Sequence, residues 1–126
     1  MLDAVCDSGP LIHLNEIGQI SLLDVLRKLT VPNSVASETS RLNLKNLTIV
    51  KVSKKELASF VNQIKNFKLQ KAETDALYLA NKFGCMLLTD DLEARNAAVK
   101  LNMEVQEKSY NIRNKADLWK AISPKR

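Results

Sequence analysis

Val5-Cys6-Asp7-Ser8-Gly9-Pro10 and Cys85-Met86-Leu87-Leu88-Thr89-Asp90-Asp91 share one pattern. Each is a short apolar strand that ends in acid. A continuous apolar run, without alternation, is what a strand buried on both faces requires. Pro10 suits a first helical turn, so the first strand, Ala4–Asp7, feeds straight into a helix. Asp90 or Asp91 can cap the helix that follows Cys85–Thr89. Strands alternating with helices imply an α/β protein with a parallel sheet covered on both faces. Ligands of such sheets bind at the carboxyl ends of the strands. Carboxylates that converge there repel one another unless a divalent cation holds them.

Outward from these two strands the chain is compact, with three Gly and three Pro. Leu11, Ile12, Leu14 and Ile17 line a first helix that breaks near Gly18. Leu22, Leu23, Val25, Leu26 and Leu29 predict a second helix over Ile20–Leu29. Thr30-Val31 is a brief strand, and Pro32-Asn33-Ser34 starts a short helix that holds Glu38. Leu47–Val52 is a β-branched strand. Ser53 with Glu56 is a capping box for a helix to about Lys65. Leu69–Phe83 is a helix with Ala72, Ala76, Leu79, Ala80 and Phe83 on its apolar face, stopped by Gly84. A helix from the Asp90-Asp91 cap to about Leu101, an edge strand Met103–Val105 and a C-terminal helix Asn114–Ile122 complete the chain. The two most apolar strands belong at the centre of the sheet. Neighbouring strands lie about 4.8 Å apart, which would bring Asp7 and Asp90 within reach of shared cations.

A chain of 126 residues, 45% hydrophobic and 26% charged, fits one soluble domain over residues 1–126. The beginning carries no signal-peptide pattern and no run is long enough to span a bilayer, so a cytoplasmic location and no membrane partner are expected. Cys6 and Cys85 match no zinc spacing and read as reduced core thiols, with a disulfide open if their strands are neighbours. The net charge of +5 and pI near 9.3 favour an anionic partner such as nucleic acid. Arg41, Lys45, Lys51, Lys54, Lys55, Lys65, Lys68, Lys71, Arg95 and Lys100 are candidates for a basic rim. Each taken alone is more often a solvated surface charge.

Asp7-Ser8-Gly9-Pro10-Leu11-Ile12, Gly18-Gln19-Ile20-Ser21-Leu22-Leu23 and Val31-Pro32 with Val35 and Glu38 resemble the opening of a PIN domain. Ala72-Glu73-Thr74-Asp75-Ala76-Leu77-Tyr78-Leu79-Ala80, then Leu87-Leu88-Thr89-Asp90-Asp91 with Ala94-Arg95, resembles its second half. The resemblance runs over roughly residues 3–105 and is to small prokaryotic PIN proteins of the toxin type and their uncharacterised relatives. It implies a three-layer α/β/α sandwich with a central, mostly parallel sheet of about five strands. It also implies a magnesium or manganese site built from Asp7, Glu38, Asp75 and Asp90, with Asp91 an alternative in the last role. Glu73 matches an acidic position of some relatives, and Ser8 and Thr89 match small hydroxyls beside the metal. The implied substrate is RNA. For toxin-type members the implied partners are a small antitoxin protein and a second copy of the chain. Relatives often end in a Gly-rich strand and turn, whereas Val105–Asn111 has no glycine.

Phosphodiester hydrolysis needs an activated nucleophile and stabilised phosphate charge. One histidine, His13, excludes a two-histidine ribonuclease. A metal supplies both functions, and carboxylates suit magnesium or manganese better than zinc. The expected reaction is in-line attack by metal-activated water, leaving a 5′-phosphate and a 3′-hydroxyl. Plainer roles exist for each acid: Asp7 bonding its own turn, Glu38 and Glu73 solvated, Asp75 paired with Lys71 or Lys82, Asp90 or Asp91 a helix cap. Two rival functions stand beside the nuclease. One is a non-catalytic PIN-like module that binds RNA or protein. The other is a phosphohydrolase of small phosphate esters, disfavoured because Asp7-Ser8-Gly9 lacks a second aspartate.

Overall fold

A computed structural model describes residues 2–101 except 19, 40, 41, 43 and 45. Four parallel strands form one sheet in the order β3-β2-β1-β4: β1 Leu2–Cys6, β2 Leu26–Pro32, β3 Leu47–Val50 and β4 Met86–Leu88. Among the described residues five α-helices surround it: α1 Ser8–Glu16, α2 Ala36–Thr39, α3 Lys54–Gln63, α4 Lys71–Phe83 and α5 Leu92–Lys100. Strand period two divides the core into two layers. Ala4, Cys6, Met86 and Leu88 face one side with Leu11, Leu14, Leu23 and Val35. Val5 and Leu87 face the other, against Leu57, Phe60, Ala76, Leu77, Ala80, Ala97 and Ala98. The result is the expected three-layer α/β/α arrangement.

The expected helix Ile20–Leu29 is the main correction. A 3₁₀ turn covers Ile20–Val25, and the chain is already a strand from Leu26. Leu26 and Leu29 are three residues apart, a helical spacing, yet both bury in the same layer of the sheet core. A bulge reconciles the two. Leu2 pairs with Leu26 while Asp3 pairs with Lys28, so Arg27 is an extra residue in β2. The extra residue restores the parity that a flat strand would break. Arg27 Nε donates to Asp3 Oδ1 at 2.9 Å across the bulge.

Smaller differences have local causes. Ile12, Ile17 and Phe83, expected on buried faces, are exposed, while Leu11 and Leu14 carry the packing of α1. Among the described residues β1 is an inner strand, as expected, and β4 lies beside it. The expected Met103–Val105 strand and Asn114–Ile122 helix lie outside the described residues, as do Arg41 and Lys45. The capping box of α3 forms as expected: Ser53 N donates to Glu56 Oε2 at 2.9 Å and Glu56 N to Ser53 Oγ at 3.2 Å. Gly84 ends α4 with φ of +65°, a left-handed turn that glycine adopts without strain. Cys6 and Cys85 are free thiols. Among the described residues no helix is long and apolar enough to cross a membrane.

Candidate active site

The adjacent strands β2, β1 and β4 run parallel, so their carboxyl ends share one edge of the sheet. Polar residues follow each at once: Asn33-Ser34 after β2, Asp7-Ser8 after β1, Thr89-Asp90-Asp91 after β4.

Asp7 caps α1, its Oδ1 accepting the Gly9 amide at 3.2 Å. Its Oδ2 accepts the Thr89 hydroxyl at 2.7 Å. The residue is only 3% exposed. Burial pushes its carboxyl up to about 7; the Thr89 hydrogen bond opposes this, the Asp90 charge adds to it, the Gly9 amide opposes it, and Glu73 adds to it. Desolvation therefore dominates, because a buried carboxylate with two neutral donors is still short of what water provides. Asp90 stands close by for a steric reason. Its carboxylate occupies the space that a Cβ on Gly9 would fill, so any larger residue there would displace it.

Thr89 joins two strand ends. While donating to Asp7, its hydroxyl accepts the Asp91 amide at 3.1 Å. Asp91 then caps α5, Oδ2 accepting the Ala94 amide at 2.8 Å. The two consecutive aspartates are thus divided: Asp91 holds the helix start and Asp90 lies against Gly9. Arg95 brings a cation to the same corner, Nη2 donating to the Thr89 carbonyl at 3.3 Å. Glu73 is half-buried and accepts the Gln70 amide at 2.8 Å as the third residue of α4. Burial raises its pKa first, the Gln70 amide lowers it, and the charges of Asp91 and Asp90 raise it again. Cys6 is buried behind Asp7; burial and then the Asp7 and Asp90 charges push its thiol well up, so it stays protonated.

Asp75 lies over the end of β2. It is fully buried. Its Oδ2 accepts the Ser34 hydroxyl at 2.8 Å and faces Lys71 Nζ at 3.4 Å. Its Oδ1 is buried with no hydrogen-bond partner among the described residues. Lys71 is therefore the partner that sequence spacing offered, while Lys82 pairs with Glu56 at 3.3 Å. Glu38 falls on α2, which follows Ser34 and Val35, and its side chain lies outside the described residues. Ser8 opens α1. Ser34 was not singled out by sequence. The signal available was positional: it is the small hydroxyl after β2, as Ser8 is after β1 and Thr89 after β4.

Among the described residues no three His, Cys, Asp or Glu side chains form a ready-made cation site. The donors at this edge are nevertheless of one kind, hard carboxylate oxygens without thiolate or imidazole, which is the chemistry of magnesium and manganese. The orphaned Asp75 Oδ1 and the destabilised charge of Asp7 are both features that a divalent cation would relieve. In that sense the residues fit the ion.

The DUF3368 family, described as a PIN domain, matches residues 3–106. None of the curated proteins matches the sequence. PIN domains are generally nucleases and typically use divalent metals. With most of its length covered by that match, and with an α/β/α sandwich whose acids gather at the strand ends, the chain belongs to the PIN-domain family.

Proposed function

We propose that the chain, taken as a single domain over residues 1–126, is a divalent-metal-dependent ribonuclease. The observation that carries this is the edge itself. Asp7, at the end of β1, and Asp75, on α4 and bonded to Ser34 at the end of the neighbouring β2, are both buried, one holding its proton up to about pH 7 and the other with an oxygen unpartnered among the described residues. Neither feature helps the fold, and both suit a cation. On this reading Asp7, Glu38, Asp75 and Asp90 hold a magnesium or manganese ion, with Asp91 behind them as the helix cap. The bound ion supplies activation of water and neutralisation of phosphate charge. Thr89 keeps Asp7 Oδ2 oriented, Gly9 leaves room for the Asp90 carboxylate, and Ser34 holds Asp75. The net charge of +5 draws a polyanion toward an acidic edge that only a cation makes receptive. The same reading takes a small antitoxin protein and a second copy of the chain as partners, and the cytoplasm as location.

One observation favours a second reading, a PIN-like module that binds RNA or protein without cutting. It is the lack, among the described residues, of three acids already set around one point.

A labelled RNA panel, incubated with manganese, magnesium or chelator beside a generic phosphate ester, separates these readings. Metal-dependent RNA cleavage by the wild type and none by Asp7→Asn is the expected result. Equal cutting by both proteins refutes the assignment. RNA binding without cutting moves the conclusion to the binding module, and hydrolysis of the ester alone moves it to a phosphohydrolase.

A further inference from the structure

We infer that Ser34 is a positioning residue that commits one oxygen of Asp75 to the protein and leaves the other for a divalent cation. The inference rests on the metal-dependent reading above and concerns the same site. Two groups approach Asp75, and both approach the same oxygen: Ser34 Oγ at 2.8 Å and Lys71 Nζ at 3.4 Å are on Oδ2. Among the described residues Oδ1 receives no hydrogen bond, and it is the only carboxylate oxygen buried in that condition. A carboxylate in a fully buried setting does not leave one oxygen bare without cost. A symmetric arrangement, with one donor on each oxygen, would have been the cheaper solution for stability alone.

The two donors are unequal. Lys71 is 66% exposed at its side chain, so its ion pair with Asp75 is screened and held loosely. The Ser34 bond is short and links residues 41 apart in sequence, tying α4 to the end of β2. Ser34 also begins the segment that leads to Glu38. The bond therefore fixes two things together: the rotation of the Asp75 carboxylate and the separation of its helix from the element bearing Glu38. Groups that orient a metal's carboxylate ligands in this way commonly matter about 10–100-fold in metal affinity.

The test is manganese binding by titration calorimetry, with no RNA present, for wild type, Ser34→Ala, Ser34→Thr and Ser34→Cys. Far-ultraviolet circular dichroism establishes that each protein is folded. Expected is a loss of about tenfold or more in affinity for Ser34→Ala and Ser34→Cys, with Ser34→Thr within about threefold of wild type because the donor is retained. RNA cleavage at saturating manganese should then recover most of the wild-type rate in Ser34→Ala, since the defect lies in holding the ion. Wild-type affinity in folded Ser34→Ala or Ser34→Cys overturns the role of Ser34 and leaves the nuclease reading intact. An equal loss in the threonine variant shows that volume, not the donor, matters, and overturns it too. A wild type that binds no manganese removes both the inference and the reading beneath it. If the alanine variant does not fold, the cysteine variant, which keeps the volume and nearly removes the donor, decides alone.

Discussion

Replacing Asp7 with asparagine should make the metal-free protein much more stable at pH 8 and only slightly more stable at pH 5. The reason is that the folded chain holds the Asp7 proton up to about 7, against 3.8 for an ordinary aspartate. Below about pH 4 the carboxyl is protonated whether folded or not, and it costs nothing. Between pH 4 and 7 the unfolded chain ionises first, so the folded state loses ground as pH rises. Above 7 the deficit is complete, about 4 kcal/mol at roughly 1.4 kcal/mol per tenfold change in proton equilibrium. At pH 5 it is only about 1.5 kcal/mol by the same relation. Asparagine removes the deficit but offers a single acceptor where Asp7 has two, serving Gly9 and Thr89. One hydrogen bond is lost, at about 1 kcal/mol. The net gain is about 3 kcal/mol at pH 8 and only about 0.5 kcal/mol at pH 5. With a urea slope of about 1–3 kcal/mol per molar, the midpoint at pH 8 should rise by about 1–3 M. Urea titrations of both proteins in chelator, at pH 5 and pH 8, measure this. Other shifted groups, Glu73 among them, are shared by both proteins and largely cancel. An equal difference at the two pH values, or a less stable variant at pH 8, refutes the account of Asp7 as a desolvated and poorly compensated charge.

Three further outcomes follow from the same geometry. Gly9→Ala places a methyl group where the Asp90 carboxylate lies, so the fold should survive while manganese affinity, read by calorimetry, falls about tenfold or more. Thr89→Val removes a donor from Asp7 and an acceptor from the Asp91 amide, which should cost about 1–3 kcal/mol at pH 8 in urea unfolding. It should also move the Asp7 titration, followed by NMR, to higher pH. Deleting Arg27 abolishes the bulge and turns Leu26 away from the core, so the protein should fail to fold by circular dichroism. Arg27→Ala keeps the residue count, so the protein should still fold, with a urea midpoint close to that of the wild type.

What the sequence made legible follows from which signals are local. The apolar runs at Val5 and Met86–Leu88, the Ser53–Glu56 box and the Gly84 stop are each decided within a few residues, and each was readable. The start of β2 was not. Leu26 and Leu29 carry a helical spacing, and only pairing with β1 reveals that Arg27 bulges out between them. Periodicity counts residues along one chain and is blind to an insertion relative to a neighbour. At the acid edge the split is similar. That Asp7, Asp75 and Asp90 fall near strand ends was legible from strand and helix placement. The division of labour between Asp90 and Asp91 was not, since either could cap α5 and the choice depends on Thr89 accepting the Asp91 amide. Ser34 escaped notice because a serine after a strand reads as turn chemistry, and its bond reaches a helix 41 residues away.

The cost structure of this edge bears on what it is for. Within the two core layers, apolar side chains are packed without charge. Against that background the fold accepts a buried Asp7 that resists ionisation, just after β1, and a buried Asp75 on α4 whose second oxygen has no partner among the described residues. Asparagine at the first position, or a second donor for the other, would relieve each at no visible expense to packing. Protein interiors seldom keep charges of this kind for stability, because a paired or neutral replacement of similar volume does as well or better. A module that merely binds through the outside of the fold gains nothing from them. A protein whose working state contains a divalent cation gains directly, since the ion offsets both costs at once and is held more tightly for their being there. The discriminating quantity is therefore linkage. If the acids serve a cation, manganese at a hundredfold its dissociation constant should stabilise the wild type by about 2.7 kcal/mol at pH 8 and leave Asp7→Asn nearly unmoved. If they serve a binding surface, the metal should move neither.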